Sequence, residues 1–188
     1  MRIRYALFAI VLIIGTAAFS GGPSSRIADL QPELQQALEH DAALCTATPP
    51  SAAAEAGSQQ LLQSPVLTEE IRVAGREAGI IAAPQDACHC RNENCSTFVY
   101  LKSGDGYKLV LTDALASLHP MKIVKNGLPS LSGKFQVNEM QEETTIFDWD
   151  GHAYQPSLCA TVTHRKNIKL PAIAQHACKG VLKARASR

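Results

Sequence analysis

Apolar positions recur along this chain in two distinct periods. Ile27, Leu30, Leu34 and Leu38 follow one another at spacings of three, four and four, which is the period of one helix face. The spacing predicts an amphipathic helix of roughly four turns ending near Cys45. Pro32 falls in its first turn, where a missing N–H costs nothing. Residues 46–65 (TATPPSAAAEAGSQQLLQSP) carry little to bury and read as a linker. Thr68 followed by Glu69 and Glu70 predicts a second short helix. Threonine suits its N-cap, and the two carboxylates suit the positive end of its dipole. Ile71 and Gly75 lie within that helix, and Gly79 is its stop.

From Cys88 onward the pattern changes to short apolar runs rich in β-branched and aromatic residues. Residues 96–102 (STFVYLK) and 107–112 (YKLVLT) flank the turn sequence Ser103-Gly104-Asp105-Gly106 and predict a hairpin about a four-residue glycine turn. Residues 122–125 (KIVK), closed by Asn126-Gly127, then 134–137 (KFQV) and 144–149 (TTIFDW), predict further strands. Asp150-Gly151 is a tight-turn dipeptide from which residues 152–155 (HAYQ) return. The fold class expected is therefore α+β. It has a small antiparallel meander sheet of five to six strands, curved or part-closed, with one or two N-terminal helices packed on it.

The N-terminus adds a compartment. Arg2 and Arg4 precede an uncharged apolar run over residues 5–19, and Ala18 and Ser20 are small residues at the −3 and −1 positions of a cut after Ser20. This is the secretory signal pattern, and the run is short against the about 20 apolar residues that a membrane span needs. No cysteine follows the cut, so a lipid anchor is not indicated. Six cysteines (Cys45, Cys88, Cys90, Cys95, Cys159 and Cys178) remain in the exported chain. An even number in an oxidising compartment reads as a disulfide framework whose pairing the sequence leaves open. The organisation expected is a signal peptide over 1–20, a helical arm and Ala/Ser/Pro-rich linker over 21–66, a helix plus β-rich domain over 67–159, and a basic segment over 160–188. The location expected is periplasmic or secreted. The membrane is met only through the signal peptide before cleavage.

Composition excludes more than it identifies. At 46% hydrophobic, 19% charged and 5% aromatic, the chain is neither collagen-like nor mucin-like nor a multi-span membrane protein. The near-neutral total hides an asymmetry. Residues 160–188 contain seven Lys and Arg and no acid, so residues 21–159 carry a net charge of −8. The basic segment lacks aromatic residues to stack on bases, and no nucleic-acid partner is expected.

Candidate chemistry is densest at Cys88-His89-Cys90, with Cys95 close behind. Thiolates and an imidazole are soft ligands for Zn²⁺ or Cu(I), so a metal-handling protein using these four residues is one alternative. The oxidising compartment favours disulfides, and neither a CxxC nor a haem-attachment motif is present. Asp148-Trp149-Asp150-Gly151 resembles the start of a calcium loop, but Cys159 stands where its twelfth-position glutamate would be. A hairpin turn is the better reading. Glu139, Glu142 and Glu143 lie in a stretch that is polar throughout and read as a solvated loop. There is no GxSxG, HExxH or Walker loop, so no catalytic residue, no enzymatic activity and no cofactor are expected.

Ser103-Gly104-Asp105-Gly106-Tyr107 fits SGxxY. In this it resembles the bacterial periplasmic lysozyme inhibitors. Trp149-Asp150-Gly151-His152-Ala153-Tyr154 is similar to the aromatic-Asp-Gly-x-x-Tyr hairpin of exported inhibitor-like and immunity proteins. The resemblance covers roughly residues 88–160. It implies a small secreted β-rich binding protein in which Ser103, Gly104, Asp105, Gly106 and Tyr107 form a protruding loop that enters the cleft of a protein partner, a lysozyme-like cell-wall hydrolase. The expectation is thus an exported, non-enzymatic protein-binding domain. The second alternative to it is a structural envelope protein attached by its basic tail or helical arm.

Overall fold

A computed structural model describes residues 25–42, 62–164 and 171–178. The expected signal peptide, Cys45, most of the expected linker and all seven Lys and Arg residues of 160–188 lie outside the described residues. Two-residue strand β1 (Ser25–Arg26) leads through a 3₁₀ turn (Ile27–Asp29) into helix α1 (Pro32–Ala42). Strands β2 (Pro65–Val73), β3 (Arg76–Pro84), β4 (Cys90–Arg91), β5 (Asn94–Ser103) and β6 (Gly106–Leu115) follow. Then come β7 (Ser117–Lys125), β8 (Leu128–Asn138), β9 (Gln141–Trp149), β10 (Tyr154–Thr163) and β11 (Ala172–His176).

The fold is mostly β rather than α+β, and two antiparallel sheets replace the single one expected. In the first, β1, β2, β3, β5 and β6 lie side by side, with β4 sharing with β3 one edge of β5. The second is a plain meander, β7 to β11 in order. The first helix is real but shorter than its apolar spacing predicts. Pro32 opens it, and Leu34, Leu38 and Ala42 bury one face. Its first turn lacks Ile27 and Leu30, which fall in the preceding 3₁₀ turn and bend.

The second helix expected from Thr68 does not form. Residues 65–73 form β2, in which Thr68, Glu70 and Arg72 point to solvent while Val66 and Ile71 are buried. Thr68-Glu69-Glu70 has the composition of a helix start. A full ladder to β3, closed by a turn with positive φ at Ala74 and Gly75, supplies more backbone pairing than a one-turn helix could. Gly79, expected as a stop, sits inside β3 against β5. A Cβ there would run into the Tyr100 carbonyl oxygen and lie 2.8 Å from a Leu101 methyl.

The first sheet is covered on both faces, so its central strands read as continuous apolar runs. Phe98, Tyr100 and Ala82 face α1 and pack with Ile27, Leu34, Leu38 and Val66. Val99 and Ile81 face the second sheet and pack with Ile71, Leu115, Leu118, Leu131, Phe147 and Tyr154. Ala116 alone joins β6 to β7, its N–H donating to the Lys134 carbonyl at 2.7 Å. The result is three layers: helix, sheet and sheet.

Two disulfides join described cysteines. Cys90–Cys95 links the directly paired positions of β4 and β5, and Cys159–Cys178 ties the end of the β11 segment to β10. Cys88 is also disulfide-bonded, and no described cysteine is free. Such a framework belongs to an oxidising environment.

Candidate functional site

The SGDGY sequence forms the tip of the β5–β6 hairpin. Ser103 pairs with Gly106, so the turn holds two residues, Gly104 and Asp105, rather than four. Gly104 has φ +60° and Asp105 does not share the positive region. That is the sign pattern of a type II′ turn, with glycine at its first central position. The pairing of β3 with β5 stops at Gly79 and Leu101, and a bulge at Ala78 re-aims the start of β3. The last pairs of the β5–β6 ladder, Lys102 with Tyr107 and Ser103 with Gly106, therefore extend past the sheet proper. Ser103, Gly104 and Asp105 are exposed. The side chains of Ser103 and Asp105 accept no bond from, and donate none to, the described residues.

Tyr107 points the other way. It is half-buried against the helix-facing core, edge-on to Tyr100 with ring centroids 6.5 Å apart. Its hydroxyl donates to Glu77 at 3.1 Å and lies 3.3 Å from the Gln31 side-chain oxygen. Burial and the neighbouring Glu77 carboxylate push its pKa up to about 12. Lys102, on the opposite arm of the hairpin, also meets Glu77, at 3.2 Å. One carboxylate on β3 thus holds both arms of the hairpin at its base. Neither Glu77 nor Gln31 stands out in the sequence. Their role arises from three segments meeting, and no spacing signals it.

The Cys88-His89-Cys90 cluster is built differently from a thiolate site. Cys88, Cys90 and Cys95 are all in disulfides, so their sulfurs are not thiolates. His89 is buried. Its Nδ1 lies 2.8 Å from both Asp86 carboxylate oxygens, and its Nε2 lies 3.2 Å from the Ala42 carbonyl oxygen at the end of α1. Both neighbours are acceptors, so the ring is held between Asp86 and the end of α1. Asp86 Oδ1 also accepts from the Cys88 and His89 amides at 2.9 and 3.0 Å. Burial raises the Asp86 carboxyl, but hydrogen bonds from His89 and Ser64 bring it below the usual carboxylate range. Asp86, Cys88 and His89 converge within 4.8 Å. Their ligand atoms are nevertheless spent on one another, on a disulfide and on the helix end, so the residues do not fit a resident metal.

The β9–β10 connection is the hairpin turn expected. Asp150 Oδ1 accepts from the His152 and Ala153 amides at 2.8 and 2.9 Å, and these bonds lower its pKa. Gly151 supplies φ +107°. Asp148 accepts from Ser130 at 2.6 Å and pairs with Lys125. Neither carboxylate is left to gather around a cation. Trp149 packs on Tyr154 at 5.4 Å, and the Tyr154 hydroxyl donates to the Pro129 carbonyl at 3.0 Å.

Two concavities are prominent. One, of about 190 Å³, lies between the sheets and is lined largely by Leu67, Ile81, Leu115 and Leu118. The other, of about 460 Å³, lies beside the end of α1 and is lined by Asp41, His89, Phe98 and Leu109 among others. Among the described residues no helix is long and apolar enough to cross a membrane. No family model, curated protein or solved structure matches this chain.

Proposed function

We propose that this protein is an exported, non-enzymatic binding module of the periplasm or medium, and that the β5–β6 hairpin tip enters the cleft of a protein partner. The observation that carries the reading is the contrast within one hairpin. Ser103 and Asp105 are exposed at the tip and their side chains bond to none of the described residues, while Tyr107 and Lys102 are clamped by Glu77 at its base. A loop held this way loses little conformational entropy on binding, so its hydroxyl, carboxylate and turn amides can be offered at low cost. Such a role needs no catalytic group.

The resemblance of Ser103-Gly104-Asp105-Gly106-Tyr107 to the lysozyme-inhibitor loop names the partner class: a cell-wall hydrolase of lysozyme type, whose cleft is built to accept hydroxyl-rich glycans. The contacts would come from Ser103, Gly104, Asp105 and Gly106, with Tyr107 positioning them. Purified oxidised protein should be assayed against a panel of lysozymes and other muramidases. Inhibition at micromolar protein is expected. It should fall by about tenfold or more in the Ser103→Ala, Asp105→Ala double variant at unchanged melting temperature. Failure to inhibit any of them would remove the hydrolase partner.

A further inference from the structure

Between β3 and β4 the chain makes a tight turn in which three side chains of metal-ligating type converge. The ligand atoms of Asp86, Cys88 and His89 lie within 4.8 Å of one another. The turn is held by its own backbone. The His89 and Cys90 amides donate to the Asp86 carbonyl at 3.1 and 3.0 Å, and the Cys88 and His89 amides donate to Asp86 Oδ1 at 2.9 and 3.0 Å. Two residues beyond Cys88, the Cys90–Cys95 bridge fastens the end of the turn to β5. His89 is buried and Asp86 half-buried, so two of the three side chains are fixed in place before any ion arrives.

The orientation of the ring suits a ligand. A carbonyl oxygen can only accept, so the bond at Ala42 is donated by Nε2 and leaves Nδ1 facing Asp86. Ligating histidines are commonly aimed in this way, by a backbone carbonyl on the other ring nitrogen. The set offers one carboxylate oxygen, one imidazole nitrogen and one sulfur. Ca²⁺ and Mg²⁺ take oxygen ligands and Cu(I) favours thiolate and thioether, whereas a mixed set suits Zn²⁺. What bars the ion from the oxidised protein is the state of the sulfur. Cys88 is in a disulfide, and only a thiolate is a ligand. Its partner follows by elimination: Cys90–Cys95 and Cys159–Cys178 account for four of the six cysteines and leave Cys45.

We propose that Asp86, Cys88 and His89 form a redox-gated Zn²⁺ site, closed by the Cys88 disulfide and opened by a dithiol reductant. One thiolate of the dithiol attacks the sulfur bonded to Cys88 and displaces Cys88 as a thiolate. The second thiolate attacks the dithiol's own sulfur in the mixed disulfide and displaces the other cysteine. Two electrons pass to the bridge, which ends as two thiols, and the dithiol ends as a disulfide. Zn²⁺ then takes the Cys88 sulfur, His89 Nδ1 and an Asp86 oxygen, while protons on the sulfur and on Nδ1 leave to solvent. Ligand atoms around one tetrahedral Zn²⁺ stand roughly 3–4 Å apart, so closing round the ion takes a rotation of the released sulfur about its Cα–Cβ bond. Water fills the fourth position. The Cys90–Cys95 bridge keeps the turn in place while the gate is open. The proposal is independent of the hairpin tip and stands or falls separately from it.

The test uses the full-length exported protein with Zn²⁺ alone as the probe, read by competition with a chromogenic chelator and by calorimetry. The oxidised parent should take up no stoichiometric Zn²⁺. The Cys45→Ser variant, handled without oxygen, leaves the Cys88 sulfur free and the other two bridges closed. It should bind one Zn²⁺ per chain, and Co²⁺ in its place should show a thiolate-to-metal charge-transfer band. Adding Asp86→Asn or Cys88→Ser to that variant should weaken binding by about tenfold or more, and Cys88→Ser should also abolish the band. The parent opened at this one bridge by a limiting dithiol, then separated from it, should behave as Cys45→Ser does, which covers a variant that folds poorly. Equal Zn²⁺ binding by the oxidised parent would overturn the gate. Absence of binding in either opened form, or binding undiminished by Cys88→Ser, would overturn the site.

Discussion

Tyr107 and Ser103 are four residues apart on one hairpin and do opposite things. Ser103→Ala removes a solvent-facing hydroxyl and should change stability by less than about 0.5 kcal/mol. Tyr107→Ala removes a ring packed on Tyr100 and the donor to Glu77, and should cost about 3 kcal/mol or more in thermal unfolding. Tyr107→Phe isolates the hydroxyl and should cost about 1 kcal/mol. The Tyr107 pKa is raised above the ordinary 10.0 to about 12. Its contribution is therefore complete below the unfolded value and lost as pH rises through the folded one, which ultraviolet titration of parent against Phe variant would follow.

At Asp86 the sign reverses. Its folded pKa lies below the ordinary 3.8, so its stabilisation is present above that value and lost as pH falls through the folded one. Asp86→Asn should be less stable than the parent at neutral pH, by about 1.5–3 kcal/mol for a charge-assisted hydrogen bond. The gap should close below pH 3.8. A gap that stays constant down to acid-unfolding conditions would mean that the carboxylate charge is not what holds His89 on the helix end.

The elements differ in how much they depend on a single contact. β8 passes under the core at Gly133, where an added Cβ would lie 2.9 Å from the Phe147 ring and 3.1 Å from a Leu115 methyl. Gly133→Ala should therefore destabilise by about 1–3 kcal/mol through overpacking, measurable by urea denaturation. Among the described residues β11 is held by its ladder to β10, by the contact of His176 with Thr161 and by Cys159–Cys178. Replacing both cysteines by serine opens a closure of 19 residues, with a loss of about 3 kcal/mol on the loop-entropy argument. Amide exchange should quicken in β11 first and leave β8 and β9 slow.

Strand signals were legible where the turn chemistry was conventional. Asn126-Gly127 has both residues at positive φ, as such a dipeptide favours. β2 and β3 were missed because Ala74-Gly75 is a weak turn signal. Glu69 and Glu70 look helical in a one-dimensional reading, and only the neighbouring strand makes them extended.

For the whole molecule, the three layers explain why the central strands have no alternation to read. Phe98, Val99 and Tyr100 are consecutive and all buried because α1 covers one face of β5 and the second sheet the other. Of the six cysteines, Cys45 alone lies outside the described residues. With Cys90–Cys95 and Cys159–Cys178 assigned and Cys88 bonded, a peptide map of the unreduced protein should yield Cys45–Cys88. A free thiol at either position would contradict it. The sequence by itself determined the even cysteine count and hence the oxidising environment, the first helix, and the β texture beyond Cys88. These follow from composition and from periods of a few residues, which local chemistry sets. Only the tertiary structure decided that the strands divide into two sheets, that Cys90 meets Cys95, that Glu77 clamps the hairpin, and that β11 is added beside β10. Each of these depends on residues far apart in the chain, whose approach is governed by which faces must be buried together rather than by any local spacing.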